Sequence, residues 1–326
     1  MKTPPVSALA WCKAGTYFSW KSSLPENATY RSLHIFNICI GNPENPAVVL
    51  IHGYPTSSYD FSKLAQQLSN DFHVCALDTP GYGFSDKPKN GYHYSIFDDA
   101  RLVDDYIRDT LKLKEFTLVT HDKGDSVGLA LLQIYQAYPV KPYTIRHQFI
   151  TNGNIFLPLA QLTTGQKMLL NPLSGPILSA LIDGSWLIAG LANTTYSPAL
   201  PTSEMDALAS IFDYQGGAKI EYNIIQYLNE RKRNEVIWLN ILGRSDIPTT
   251  LIWGKQDEIA PTSVPDYVWV SYLQGHTASN YWQIPCANHY IQVDQPQWMA
   301  AIIRSTLASV PYLVKSAESC QPSKIN

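Results

Sequence analysis

Residues 116–132 read FTLVTHDKGDSVGLALL, and the fold turns on how this stretch is parsed. Phe116 to Thr120 are β-branched, aromatic or apolar and read as a strand. Val127, Leu131 and Ile134 then recur at helical spacing. A sharp turn must join the two. Strand, tight turn and helix together make a nucleophile elbow, which lifts one side chain above a sheet edge and keeps small residues two before and two after it. Thr120-His121-Asp122-Lys123-Gly124 fits with Asp122 at the apex. The N–H of Lys123 then sits at the helix N-terminus, where negative charge is favoured. An overlapping string, Gly124-Asp125-Ser126-Val127-Gly128, spells G-x-S-x-G. The turn must follow the strand directly, so Ser126 falls about one helical turn past the apex, and Asp122 is preferred.

Working outward, strands alternate with helices. Ala47 to Ile51 (AVVLI) is wholly apolar, as for a strand buried on both faces of a parallel sheet. His52-Gly53-Tyr54-Pro55 follows it directly. The N–H of Tyr54 is expected as a second oxyanion donor opposite that of Lys123, with His52, Gly53 and Pro55 beside the substrate. Ser58 to Leu68 reads as a helix, Phe72 to Leu77 as a strand, and Asp78 to Pro88 as a Gly/Pro-rich loop at the ligand-binding edge. Ile96 to Leu111 is an amphipathic helix and Ile145 to Thr151 a strand. The alternation stops at Gly153 and resumes with Pro248 to Trp253, Trp282 to Pro285 and a closing helix over Gln297 to Val310. The expected architecture is α/β: a mostly parallel sheet flanked by helices, formed by residues 1–152 and 246–326, with an inserted helical cap over 153–245. The tail after Lys315 is polar and expected to fray.

Composition narrows the class. With 45% hydrophobic and 16% charged residues among 326, the chain can bury a sizeable core. The net charge of −3 gives no reason to expect nucleic acid. Cys12, Cys39, Cys75, Cys286 and Cys320 are scattered and odd in number, so neither a disulfide framework nor a zinc site is expected. The start, MKTPPVSALAWCKAG, shows no apolar core of a signal peptide. Pro176 to Ala192 is short for a bilayer span and reads as a buried or cap helix. A cytoplasmic location follows as an expectation, in which the sequons at Asn27 and Asn193 carry no meaning.

Asp122, Asp257 and His289 each lie just past a predicted strand, in the chain order nucleophile, acid, histidine. A carboxylate attacking an sp³ carbon forms a stable alkyl ester. His289 can then activate water to hydrolyse it, with Asp257 orienting the imidazole. Epoxides and alkyl halides both suit this chemistry, and neither requires a metal or organic cofactor.

The stretches HGYPTSSYDF, GYGFSDKP, THDKGD, TNGNIF, QYLNERKR, GKQD and NHYIQVDQP resemble the haloalkane dehalogenase and epoxide hydrolase branch of the α/β-hydrolases. Within it they look most like the mesoderm-specific transcript protein group. Two positions depart from the dehalogenases, which commonly hold halide with a Trp after the nucleophile and an Asn after His-Gly. Lys123 and Tyr54 stand there. Fluoroacetate dehalogenases place Arg residues after the nucleophile; Lys123 is a partial match, and Ser126 occupies the second Arg position. Asn288 replaces the usual Gly before the histidine. Related epoxide hydrolases use cap tyrosines to protonate the opening ring, which nominates Tyr227 first, then Tyr222, with Tyr196 for a second donor. The run Arg231-Lys232-Arg233 reads as a solvated helix face. The leading expectation is an epoxide hydrolase for a small or medium apolar substrate. A haloalkane dehalogenase, a serine esterase using Ser126 and a non-catalytic ligand receptor remain open, and the oligomeric state is unknown.

Overall fold

The computed structural model describes residues 6–89, 91–308 and 320–325. Among these residues nine strands form one sheet: β1 (Thr16–Trp20), β2 (Leu33–Ile40), β3 (Ala47–Ile51), β4 (His73–Leu77), β5 (Glu115–His121), β6 (Thr144–Thr151), β7 (Thr249–Gly254), β8 (Asn280–Ile284) and β9 (Ser323–Ile325). Their spatial order is β1-β2-β4-β3-β5-β6-β7-β8-β9. The run from β4 to β8 is parallel, and antiparallel pairs close both edges. β3 and β7 are buried along their whole length, which explains their continuous apolar or Thr-containing sequences. Helices cover both faces, and the sheet separates two hydrophobic cores.

Register places the chemistry. Ile51 pairs with Thr120, His121 with Thr151, and Thr151 with Ile252. The residues that follow these strands therefore emerge together at one edge, where open α/β sheets bind ligands. Between β6 and β7 the chain is helical, with long segments at Gly184–Thr195, Thr202–Asp213 and Tyr227–Gly243. Among the described residues no single helix is long and apolar enough to cross a membrane. Gly175–Leu181 and Gly184–Thr195 are jointly apolar but meet at 105°.

Three expectations need correction. Four of the five cysteines pair as Cys39–Cys75 and Cys286–Cys320. The first bridge arises because Cys39 and Cys75 face each other in the β2–β4 register, a proximity invisible in a separation of 36 residues. Residues 323–325 of the tail are paired, β9 with β8 beside the second bridge, and residues 316–319 lie outside the described residues. Finally, Val6–Ala14 forms a helix in a stretch to which the sequence reading assigned no element. Of the closing helix, Pro296–Ala308 is observed, and its expected last residues, 309 and 310, lie outside the described residues.

Candidate active site

Asp122 sits between the end of β5 and the helix Lys123–Ala137, with φ 50° and ψ −112°. A non-glycine residue at positive φ costs about 1–3 kcal/mol, and such strain clusters at functional sites. Two glycines let the backbone close around it. A Cβ on Gly124 would meet the Ile51 carbonyl oxygen at 2.4 Å, and one on Gly53 would meet Asp122 Cβ at 2.7 Å. The loop after β3 is thus pressed against the elbow, and the Tyr54 N–H donates to Asp122 Oδ2 at 2.9 Å.

His289 and Asp257 are fully engaged on one side. His289 Nδ1 lies 2.8 Å from Asp257 Oδ2. That carboxylate also accepts from Asn152 Nδ2 (2.7 Å) and from the N–H groups of Ile259 (2.8 Å) and Ala260 (2.9 Å). Burial alone would push the imidazole pKa down. The ion pair with Asp257 outweighs it, and with the nearby charge of Asp122 the pKa rises to about 9. Asn152 was missed in the sequence. It stands at φ 47° just past β6, and its Oδ1 also accepts from the Gly254 N–H, so it ties β6 to the Asp257 loop. Its signal was the Asn-Gly following a strand.

Asp122 and His289 open into one cavity of about 310 Å³, walled by Leu169, Leu178, Leu187, Leu191 and Ile259. Tyr54, Pro55 and Tyr290 complete the wall near the elbow. A larger, open hollow of about 830 Å³ lies at the opposite end of the strands, against Ala47, Phe116 and Pro248. It sits at strand N-termini, and its Glu115 is paired with Arg146 and its His147 with Thr250, so the smaller cavity is the candidate site.

Several nominated residues are spent elsewhere. The Lys123 ammonium pairs with Asp99 and lies 4.4 Å from the Tyr82 ring centre, away from the cavity wall. Ser126 Oγ accepts from Arg231 Nε. Arg231 is fully buried and also donates to the carbonyls of Asn154 (3.0 Å) and Asp122 (3.1 Å). The solvated-face reading therefore holds only for the exposed Lys232 and Arg233. His52 faces inward: its Nδ1 lies 2.8 Å from the Gly53 carbonyl and its Nε2 accepts from the Thr79 N–H. Gly53 supplies close approach rather than cavity wall.

The three tyrosines nominated as proton donors lie off the cavity wall as described. Tyr196 is buried and stacks on Tyr290 at 4.4 Å, its hydroxyl without a partner among the described residues. Tyr222 packs against Gly175. Tyr227 is buried between Tyr54 (5.6 Å between ring centres) and Arg231. Two phenols unremarked as side chains, Tyr54 and Tyr290, are on the wall instead.

The alpha/beta hydrolase fold family matches residues 46–160. The Mesoderm-specific transcript homolog protein of Homo sapiens is 37% identical over 298 residues, covering 85% of this chain and 84% of that protein. The chain belongs to the α/β-hydrolase family. A haloalkane dehalogenase of Mycobacterium marinum is 26% identical, covering 81% of this chain and 86% of its own length. Epoxide hydrolase 3 of Xenopus tropicalis is 24% identical, covering 83% and 73%. The crystal structure of a haloalkane dehalogenase from Bradyrhizobium elkani USDA94 superposes with a TM-score of 0.71 at 19% identity, over 91% of this chain and all of that one. That likeness concerns the fold.

Proposed function

We propose that this α/β-hydrolase uses Asp122 as a nucleophile toward an sp³ carbon, with an epoxide as the preferred substrate class. The observation that carries the reading is the pairing of two opposite arrangements at one elbow. Asp122, at the strained apex, faces the same apolar cavity as the Asp257-bound His289, while Ser126 is bonded to Arg231. Attack by Asp122 Oδ1 forms an alkyl ester, its other oxygen being held by the Tyr54 N–H. Esterification removes the charge of Asp122, one of the influences that raise the His289 pKa. The imidazole then sheds its proton more readily and serves as base for the attacking water in the second step. Epoxide is preferred to halide because Lys123, which takes the place of the usual halide tryptophan, is bound to Asp99.

The helical segment acts as the cap. Its exposed Ile177, Leu181 and Trp186 present apolar surface, and Trp186 reaches the cavity, which suits an apolar organic substrate. The test is the intact mass of a His289→Gln variant after exposure, separately, to 1,2-epoxyoctane and 1-bromooctane. Without its base the enzyme should stall as the ester. A gain of the whole epoxide mass on the Asp122 peptide is the expected result. Faster alkylation by the bromide, with bromide release by the parent enzyme, would assign a dehalogenase. No adduct from either reagent would sink the carboxylate mechanism.

A further inference from the structure

Ring opening by Asp122 needs a proton for the departing oxygen, and the three tyrosines nominated for this lie off the wall. Tyr54 is on the wall beside Asp122, and its hydroxyl donates to Glu221 Oε2 at 2.7 Å. Glu221 is fully buried, and its second oxygen, Oε1, has no hydrogen-bond partner among the described residues. A buried carboxylate with an empty oxygen costs more than a carboxylic acid in the same place. Burial accordingly raises the Glu221 pKa to about 8, although the Tyr54 bond and the charge of Lys87 work against the rise. Tyr54, a residue of the cavity wall, thus carries a hydroxyl bonded to an acid whose other oxygen has no partner among the described residues.

We infer that Tyr54 is the proton donor to the substrate oxygen and that Glu221 resupplies it. The inference rests on the carboxylate mechanism proposed above. In the loaded state the 2.7 Å contact runs in reverse, the Glu221 acid donating to the phenol and freeing the phenolic proton for the cavity. Asp122 bonds to a ring carbon, and the bond from that carbon to oxygen breaks with its electron pair moving to oxygen. The oxygen takes the Tyr54 proton, and Tyr54 takes the proton of Glu221. The resulting carboxylate lies within the field of the buried Lys87 ammonium. In the second step His289 takes a proton from water, and hydroxide adds to the ester carbonyl. The diol oxygen leaves with the proton from His289. Asp122 is released as its acid, and that proton returns through solvent to Glu221. The sum is epoxide plus water to diol.

Tyr290, the other phenol on the wall, is less suited. Its hydroxyl is directed at the Tyr54 carbonyl (3.4 Å), and its ring is stacked on Tyr196. Tyr54 does two jobs with two groups, the N–H on the nucleophile and the hydroxyl on the leaving oxygen. Glu221 acts through Tyr54 and is a positioning and proton-supplying residue.

The experiment uses the full chain in the His289→Gln background, which removes the base and leaves alkylation as the readout. Time courses of intact mass give alkylation rates by 1,2-epoxyoctane and by 1-bromooctane. Bromide departs without a proton, so the ratio of the two rates isolates proton donation. Tyr54→Phe should lower the ratio about 100-fold or more, in the range of a lost general acid. Glu221→Gln should lower it about 10-fold at pH 7. It should also abolish the fall in epoxide alkylation as pH rises through about 8, where Glu221 loses its proton. A ratio unchanged within twofold in both variants overturns the inference and leaves the nucleophile standing. If Tyr54→Phe fails to fold, bromide alkylation disappears as well, and the Glu221→Gln ratio and pH profile decide. No alkylation by either reagent in the His289→Gln parent overturns the carboxylate mechanism itself.

Discussion

The two sides of the elbow spend their polar groups in opposite ways. On the cavity side, Asp122 and His289 each have one atom held, by the Tyr54 N–H and by Asp257, and face apolar walls with the rest. On the core side, charges are paired and buried: Lys123 with Asp99, Arg231 with Ser126 and two carbonyls, and Asp78 with the N–H groups of Ser58 and Phe84. A charge in a low-dielectric interior persists only when paired, so a charge beside a nucleophile is often committed before substrate arrives. Lys123 was nominated for its N–H and Ser126 by the G-x-S-x-G string; their side chains are committed to Asp99 and Arg231.

The sharpest way to break this contrast is to exchange the roles of the two sides. Asp122→Asn should reduce turnover of 1,2-epoxyoctane more than about 1,000-fold, whereas Ser126→Ala should cost less than about 10-fold. The reverse order in steady-state kinetics would move the chemistry to the core side. Next in size, Lys123→Met leaves the Asp99 carboxylate buried and alone, and should destabilise the fold by about 3–5 kcal/mol in urea titration. Adding Asp99→Leu should restore part of that loss; a double variant no better than the single would deny the coupling. Arg231→Met strips donors from Ser126 and from the Asp122 and Asn154 carbonyls, and should cost about 2–3 kcal/mol. A midpoint unmoved in urea would return Arg231 to the solvated face.

The last effect is one of pH. Glu221 titrates at about 8 in the folded chain, above its ordinary 4.5. The folded state therefore holds that proton more tightly than the unfolded state, and stability falls as pH rises from about 4.5 to about 8. Glu221→Gln removes this contribution. The urea midpoint of the variant should decline less than that of the parent across the same window, and parallel curves would argue for an exposed Glu221.

Much of the site was legible for a physical reason. Buried parallel strands need unbroken apolar runs, and a strand-turn-helix needs small residues around its apex, so Ala47–Ile51 and the Asp122 turn announce themselves locally. Asp257 and His289 followed because they end further strands of the same pattern. Asn152 had only a turn signature. Arg231 had a misleading one, since Lys232 and Arg233 beside it are exposed and only helix phase turns Arg231 inward. The Tyr54 hydroxyl went unread, because its partner lies 167 residues away.

The sequence by itself determined the alternation of elements, the elbow and the chain order of Asp122, Asp257 and His289 past strand ends, because each rests on short-range pattern and backbone sterics. Tertiary structure alone decided which polar side chains face the cavity, which charges neutralise one another and which cysteines meet. Those outcomes depend on register and helix phase between segments far apart in the chain. Cys39 and Cys75 become neighbours through one strand pairing, and Glu221 reaches Tyr54 through the packing of a distant helix. In each case the cost of burying a polar atom is fixed by the residue, but whether a partner is there to offset it is settled only in three dimensions.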